Sequence, residues 1–151
     1  MDEVQKLTVI IYGLFSAFCF LKSLHNTKDK NNSFGLAFLI YPIGGFVWAD
    51  GVVFGLFWTI VSAFLLYLNS WILFLLTLSI FWLVRSVGET IYWFNQQFSS
   101  KNRNPIETLP FRQVFHNDSI WFVLQIYWQC VTVVTSITTI YLVHTWLSTL
   151  K

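Results

Sequence analysis

Apolar residues in this chain gather into long runs separated by short polar interruptions, and the run lengths predict the elements. Leu7 to Leu24 is the first run, closed by the polar stretch His25 to Ser33. The chain is then apolar from Phe34 to Leu68, which as one straight helix would measure about 52 Å against a hydrocarbon core of about 30 Å. A single span cannot account for it. Pro42, Gly44 and Gly45 mark the break, so a short interfacial or re-entrant segment is expected over 34–46 and a second span over 47–68.

Asn69 and Ser70 alone separate that span from a third over 71–94, so the two should form a tight antiparallel hairpin. The stretch from Asn95 to Asp118 contains Pro105, Pro110, Lys101, Arg103 and Arg112 and reads as the one substantial loop. A fourth span follows over 119–146, with Asn117, Asp118 and Ser119 as candidate N-caps. The expected fold class is an all-α integral membrane protein, a four-helix transmembrane bundle with a Pro/Gly-broken segment before its second span, forming one domain over 1–151.

Composition agrees with this pattern. Of the 151 residues 56% are hydrophobic and 11% charged, about half the charge of a soluble domain. The net charge of +2 is too small and too dispersed for nucleic-acid binding. Counting Lys and Arg by side sets Lys6 and Lys151 against Lys22, Lys28, Lys30, Lys101, Arg103 and Arg112. That asymmetry places the two longer loops in the cytoplasm and both termini outside, in a cell membrane. On this topology the Asn31 and Asn117 glycosylation patterns face the cytoplasm and carry no meaning. Asp2 and Glu3 ahead of the first run, and Phe18 before Cys19, read as a retained helix and not a cleaved signal. Cys19 and Cys130 lie within apolar runs and read as packed thiols.

Charge scarcity makes three residues conspicuous. Asp50, Arg85 and Glu89 fall within the second and third spans, where each charge at a helix centre costs roughly 2.5 to 3.5 kcal/mol and each Leu, Ile, Phe or Val returns about 0.3 to 0.6. Thirteen such apolar residues in the third span supply roughly 4 to 8 kcal/mol, which Arg85 and Glu89 would nearly cancel at full depth. Mutual neutralisation or hydration is therefore expected, and the i, i+4 spacing allows the pairing. A reversal at Asn69–Ser70 puts residues whose numbers add to 139 at equal depth. Asp50 and Glu89 then lie level, with Arg85 one turn deeper and its fork able to reach both.

Polar stripes accompany the charges. Thr8, Tyr12, Ser16, Cys19 and Ser23 recur along the first span, Arg85, Glu89, Tyr92 and Gln96 along the third, and Gln125, Gln129, Thr132, Ser136 and Thr139 along the fourth. Such stripes belong in a bundle interior. The expected binding site is a polar pocket in the cytoplasmic half built from Asp50, Arg85, Glu89, Tyr92, Gln125 and Gln129. No catalytic residue, metal ligand set or cofactor is assigned. His116 with Asp118 has metal-like spacing only, His144 reads as interfacial, and no CxxC, His-rich box, GxSxG or HExxH is present. Trp71, Trp93, Trp121 and Trp146 mark span ends, as an aromatic belt would. Gly51 and Gly55 form a GxxxG that serves helix packing, either within the chain or in a homo-oligomer.

Three functions are compatible with these residues. The leading one is a small transport or conductance protein in which Asp50 and Glu89 bind a cation or proton and Arg85 is their counter-ion. The second is a scaffold or accessory subunit whose cluster is a structural bridge. The third is a membrane-embedded enzyme acting on a lipid or isoprenoid head group held by Arg85, with Glu89 or Asp50 as acid or base.

Overall fold

The computed structural model describes residues 1–28, 32–99, 107, 109, 113–115, 117 and 119–150. Among them the regular structure is helical apart from one isolated antiparallel bridge, Leu36 to Val47. Four long helices, α1 (Glu3–Asn26), α2 (Trp48–Tyr67), α3 (Trp71–Phe98) and α4 (Ser119–Ser148), are each long and apolar enough to cross a membrane. The chain thus fits a multi-pass membrane protein, and the inventory is consistent with a four-helix bundle. It divides into two compact units, Met1–Leu75 and Leu76–Lys151, with α3 beginning in the first and continuing in the second.

The helix ends differ from the apolar run ends where local chemistry extends the helix. α1 starts at Glu3 because Asp2 caps it. The Asp2 side chain accepts from Gln5 N–H at 2.8 Å and the Gln5 side chain accepts from Asp2 N–H at 3.1 Å, a capping box outside the apolar run. α3 continues past Phe94 to Phe98 through polar residues that a hydropathy boundary excludes. Between α2 and α3 the reversal is made by Asn69 at φ 51°, a left-handed conformation that asparagine tolerates better than most residues.

In the first unit α1 and α2 run antiparallel at close range, because small residues face each other along the seam. Gly51 meets Ser23, Gly55 meets the backbone of Phe20, and Gly13 meets Ser62. A Cβ on Gly55 would lie 2.7 Å from Phe20 N and 2.8 Å from its Cα, so the approach is backbone to backbone. Toward the Asn69 turn, Val9, Leu65 and Phe74 form an apolar core. Tyr12 stands edge-on to Trp58 and Phe74, with ring centroids 5.2 and 5.7 Å away.

The Pro/Gly-broken segment folds back on this pair. A 3-10 turn over Phe38–Ile43 ends at Gly44, whose φ of 82° suits glycine. Its neck is closed by Ala37 N–H to Phe46 O at 3.0 Å, Trp48 N–H to Gly35 O at 3.3 Å and Ala49 N–H to Ser33 O at 3.0 Å. Ile40 and Ile43 are fully buried. The Pro42 carbonyl accepts from the Tyr12 hydroxyl at 3.3 Å, and the Cys19 thiol lies 4.0 Å from the Leu39 carbonyl. Tyr12 sits about 21 Å along the axis from the Asn26 end of α1, so even with the reach of its ring the turn descends alongside the helices. Its non-helical backbone is satisfied by protein groups, as such backbone must be wherever water is absent.

The second unit is an antiparallel α3–α4 pair joined differently. Ser79 Oγ and Thr139 Oγ1 are 2.8 Å apart, and Ser79 also donates to the Thr135 carbonyl at 3.3 Å. Thr132 donates to Ser86 at 3.0 Å, and Gln97 donates to Gln125 at 2.6 Å. Leu76 and Trp93 on α3, and Ile120, Trp121, Leu124, Trp128 and Leu142 on α4, are buried, as are Ser79 and Ser86 of these polar pairs.

Candidate functional site

Helical spacing brings the charged residues of α3 together. Arg85 Nη2 lies 2.8 Å from Glu89 Oε1, one turn earlier, and Trp93 Nε1 donates to Glu89 Oε2 at 3.1 Å from one turn later. Each carboxylate oxygen thus has a donor, and Glu89 is only 9% exposed. A charge-assisted bond to guanidinium offsets much of the desolvation that a buried carboxylate suffers. Measured from Trp71 at the helical rise, Arg85 is about 21 Å along α3, Glu89 about 27 Å and Trp93 about 33 Å, against a core of about 30 Å. The carboxylate therefore lies in the second half of α3.

Trp93 was expected in an aromatic belt, but it is buried and gives its N–H to Glu89. The i+4 spacing from Glu89 carried that signal. Gln97, absent from the expected site, donates both to Gln125 and to the Trp93 carbonyl, the latter at 3.2 Å. It links α4 to the backbone of the charged helix. Gln96 is buried as well.

Two expected site residues are exposed. Tyr92 is 37% exposed and stands edge-on to Trp93 with centroids 5.3 Å apart. Gln129 is exposed, and Trp128 takes the buried position beside it. The stripe expected through 125, 129, 132, 136 and 139 is realised on the α3 side by Gln125, Thr132, Thr135 and Thr139, while Ser136 donates to the Thr132 carbonyl of its own helix.

Asp50 belongs to the first unit, and Arg85 and Glu89 to the second. It is the third residue of α2, in the first turn, where its Oδ2 accepts from Phe46 N–H at 3.0 Å. Val47 offers no side-chain cap, so this carboxylate lies where the helix dipole favours negative charge. Gly51 and Gly55 are occupied by α1, which uses their close approach within the chain. On the first span's stripe Ser16, Cys19 and Ser23 are buried and Thr8 is exposed. Cys130, expected to be packed, lies exposed on α4 among residues turned away from the α3 seam.

Asn31, His116, Asp118, Lys30, Lys101, Arg103, Arg112 and Lys151 lie outside the described residues. No known family, curated protein or solved structure matches the chain.

Proposed function

We propose that the chain is a small multi-pass transport or conductance protein in which Glu89 takes a proton or small cation and Arg85 is its resident counter-ion. The observation that carries this reading is the polar seam of α3 and α4. From Ser79 to Gln97 it extends about 27 Å along α3. Hydroxyls and amides follow one another along it, Ser79 with Thr139, Ser86 with Thr132 and Gln97 with Gln125, and Glu89, bonded to Arg85 and Trp93, stands on the same helix between Ser86 and Gln97. Intramembrane ionisable groups placed in such a series are the material of proton and ion pathways. A cation arriving at Glu89 competes with Arg85 for one oxygen while Trp93 holds the other.

Purified protein in vesicles carrying a pH-sensitive dye and a potassium gradient tests this. Flux above empty vesicles is expected, falling about tenfold or more in Glu89→Gln with helix content unchanged. Flux equal to empty vesicles, or unaltered by that substitution, overturns it. The charge asymmetry supports an orientation with both termini outside. A cysteine placed at residue 2 in a cysteine-free background should then react with impermeant maleimide on intact cells.

The neutral hydrogen bonds of the same seam also favour a second reading, a scaffold or accessory subunit whose polar pairs only hold helices together. Under it, replacing Arg85 and Glu89 together with apolar residues leaves every activity of the host membrane intact.

A further inference from the structure

Beyond any flux through the α3–α4 seam, we propose that the loop end of the α1–α2 hairpin is a docking surface for anionic phospholipid of the leaflet it meets. Lys22 and His25 are exposed on the last two turns of α1, and Lys28 is exposed just past its end, so three groups able to carry positive charge recur at steps of three. Ser33 Oγ donates to the Thr27 carbonyl at 3.3 Å and ties the following loop to that helix end. The loop presents Phe34, Leu36 and Phe38 at 79%, 55% and 76% exposure.

These apolar side chains do not dangle. Their backbone is pinned by the Gly35, Ala37 and Ser33 hydrogen bonds to the start of α2, and Phe38, Tyr41 and Phe46 form a chain of ring contacts at 5.1 and 5.2 Å. A rigid aromatic wedge beside lysines whose stems can snorkel matches the acyl and head-group layers of a bilayer in one piece. Asp50, at this same end, accepts a hydrogen bond from Phe46 N–H. The lysines attract anionic head groups, and the phenylalanines suit the boundary below them.

Spin-labelled phosphatidylglycerol and phosphatidylcholine, added to the full chain in phosphatidylcholine vesicles, measure the preference directly as the ratio of motionally restricted lipid. A preference for phosphatidylglycerol is expected, dropping about threefold or more in Lys22→Gln/Lys28→Gln, restored in Lys22→Arg/Lys28→Arg, and unchanged in Lys6→Gln at the opposite end of α1. Phe34→Ser/Phe38→Ser should reduce restricted lipid of both kinds. The assignment is overturned by no preference in the native chain, by a preference that survives Lys22→Gln/Lys28→Gln, or by an equal loss in Lys6→Gln. Protection of Phe34 and Phe38 by a second copy, seen as concentration-dependent cross-linking there, overturns it as well.

Discussion

The two helix pairs solve one problem by opposite means. Between α1 and α2 the contact is made by leaving side chains out, so that Gly55 lies on the backbone of Phe20 and Gly13 on Ser62. Between α3 and α4 it is made by putting polar groups in, at Ser79 with Thr139, Ser86 with Thr132 and Gln97 with Gln125. Lipid tails are as apolar as leucine, so burial of apolar surface does little to bring helices together, and each pair must rely on dispersion at close range or on hydrogen bonds. The first seam should be intolerant of bulk, and the second of lost polarity.

The largest effect is expected where charge is buried. Arg85→Ala takes from Glu89 the donor at 2.8 Å and leaves a largely buried carboxylate with less compensation, a change worth about 3 kcal/mol of stability. Arg85→Met with Glu89→Leu removes both charges, and a well-packed apolar pair of this kind is near neutral. Denaturant titration in mixed micelles should therefore find the double variant more stable than Arg85→Ala. The reverse order would mean that the ion pair is a structural fastener, which favours the scaffold reading.

Next come two glycines that separate the seams. Gly55→Ala forces a methyl group onto the backbone of Phe20, which cannot rotate away, and should cost about 2 kcal/mol. At Gly88 on α3 a Cβ would meet nothing within 4 Å among the described residues. Gly88→Ala should therefore gain up to about 1 kcal/mol from helix propensity alone. The same titration decides both, and a cost at Gly88 comparable to that at Gly55 would place an unseen packing partner on that face of α3.

Much of this architecture was legible in run lengths and breakers, because the thickness of a bilayer imposes a ruler on sequence. The 35 residues from Phe34 to Leu68 were too long for one span, and Pro42, Gly44 and Gly45 showed where the fold-back occurs. Rotation of each helix was harder to read. Gln125 and Gln129 are equally polar by composition, yet one bonds across the seam and the other is exposed, since Trp128 beside it claims the buried side. Asp50 lies within α2, as the apolar run predicts, but in its first turn. Its position in the first turn follows from the Phe46 hydrogen bond, a contact between backbone and side chain that no spacing rule announces. Arg85 with Glu89 was readable because i, i+4 geometry belongs to a single helix and needs no knowledge of its neighbours.

The smallest effect gives the finest comparison, since one chemical change, serine to alanine, can be made in both seams. In the first, Ser23 and Ser62 are buried and their hydroxyls have no hydrogen-bond partner among the described residues. Deleting an unsatisfied hydroxyl removes a desolvation cost at no loss of bonding, so Ser62→Ala should be neutral or slightly stabilising. In the second, Ser79 is buried to a similar degree but engages both Thr139 and the Thr135 carbonyl. Ser79→Ala should cost about 0.6 kcal/mol, the average for hydrogen bonds between membrane helices. A double-mutant cycle with Thr139→Val should return most of that as coupling, while Ser62→Ala with Thr139→Val should add without coupling. Equal costs at Ser62 and Ser79, or a cycle that returns no coupling, would mean that the hydroxyls of α3 and α4 contribute no more to association than those of α1 and α2, and the contrast between the two seams would lose its physical basis.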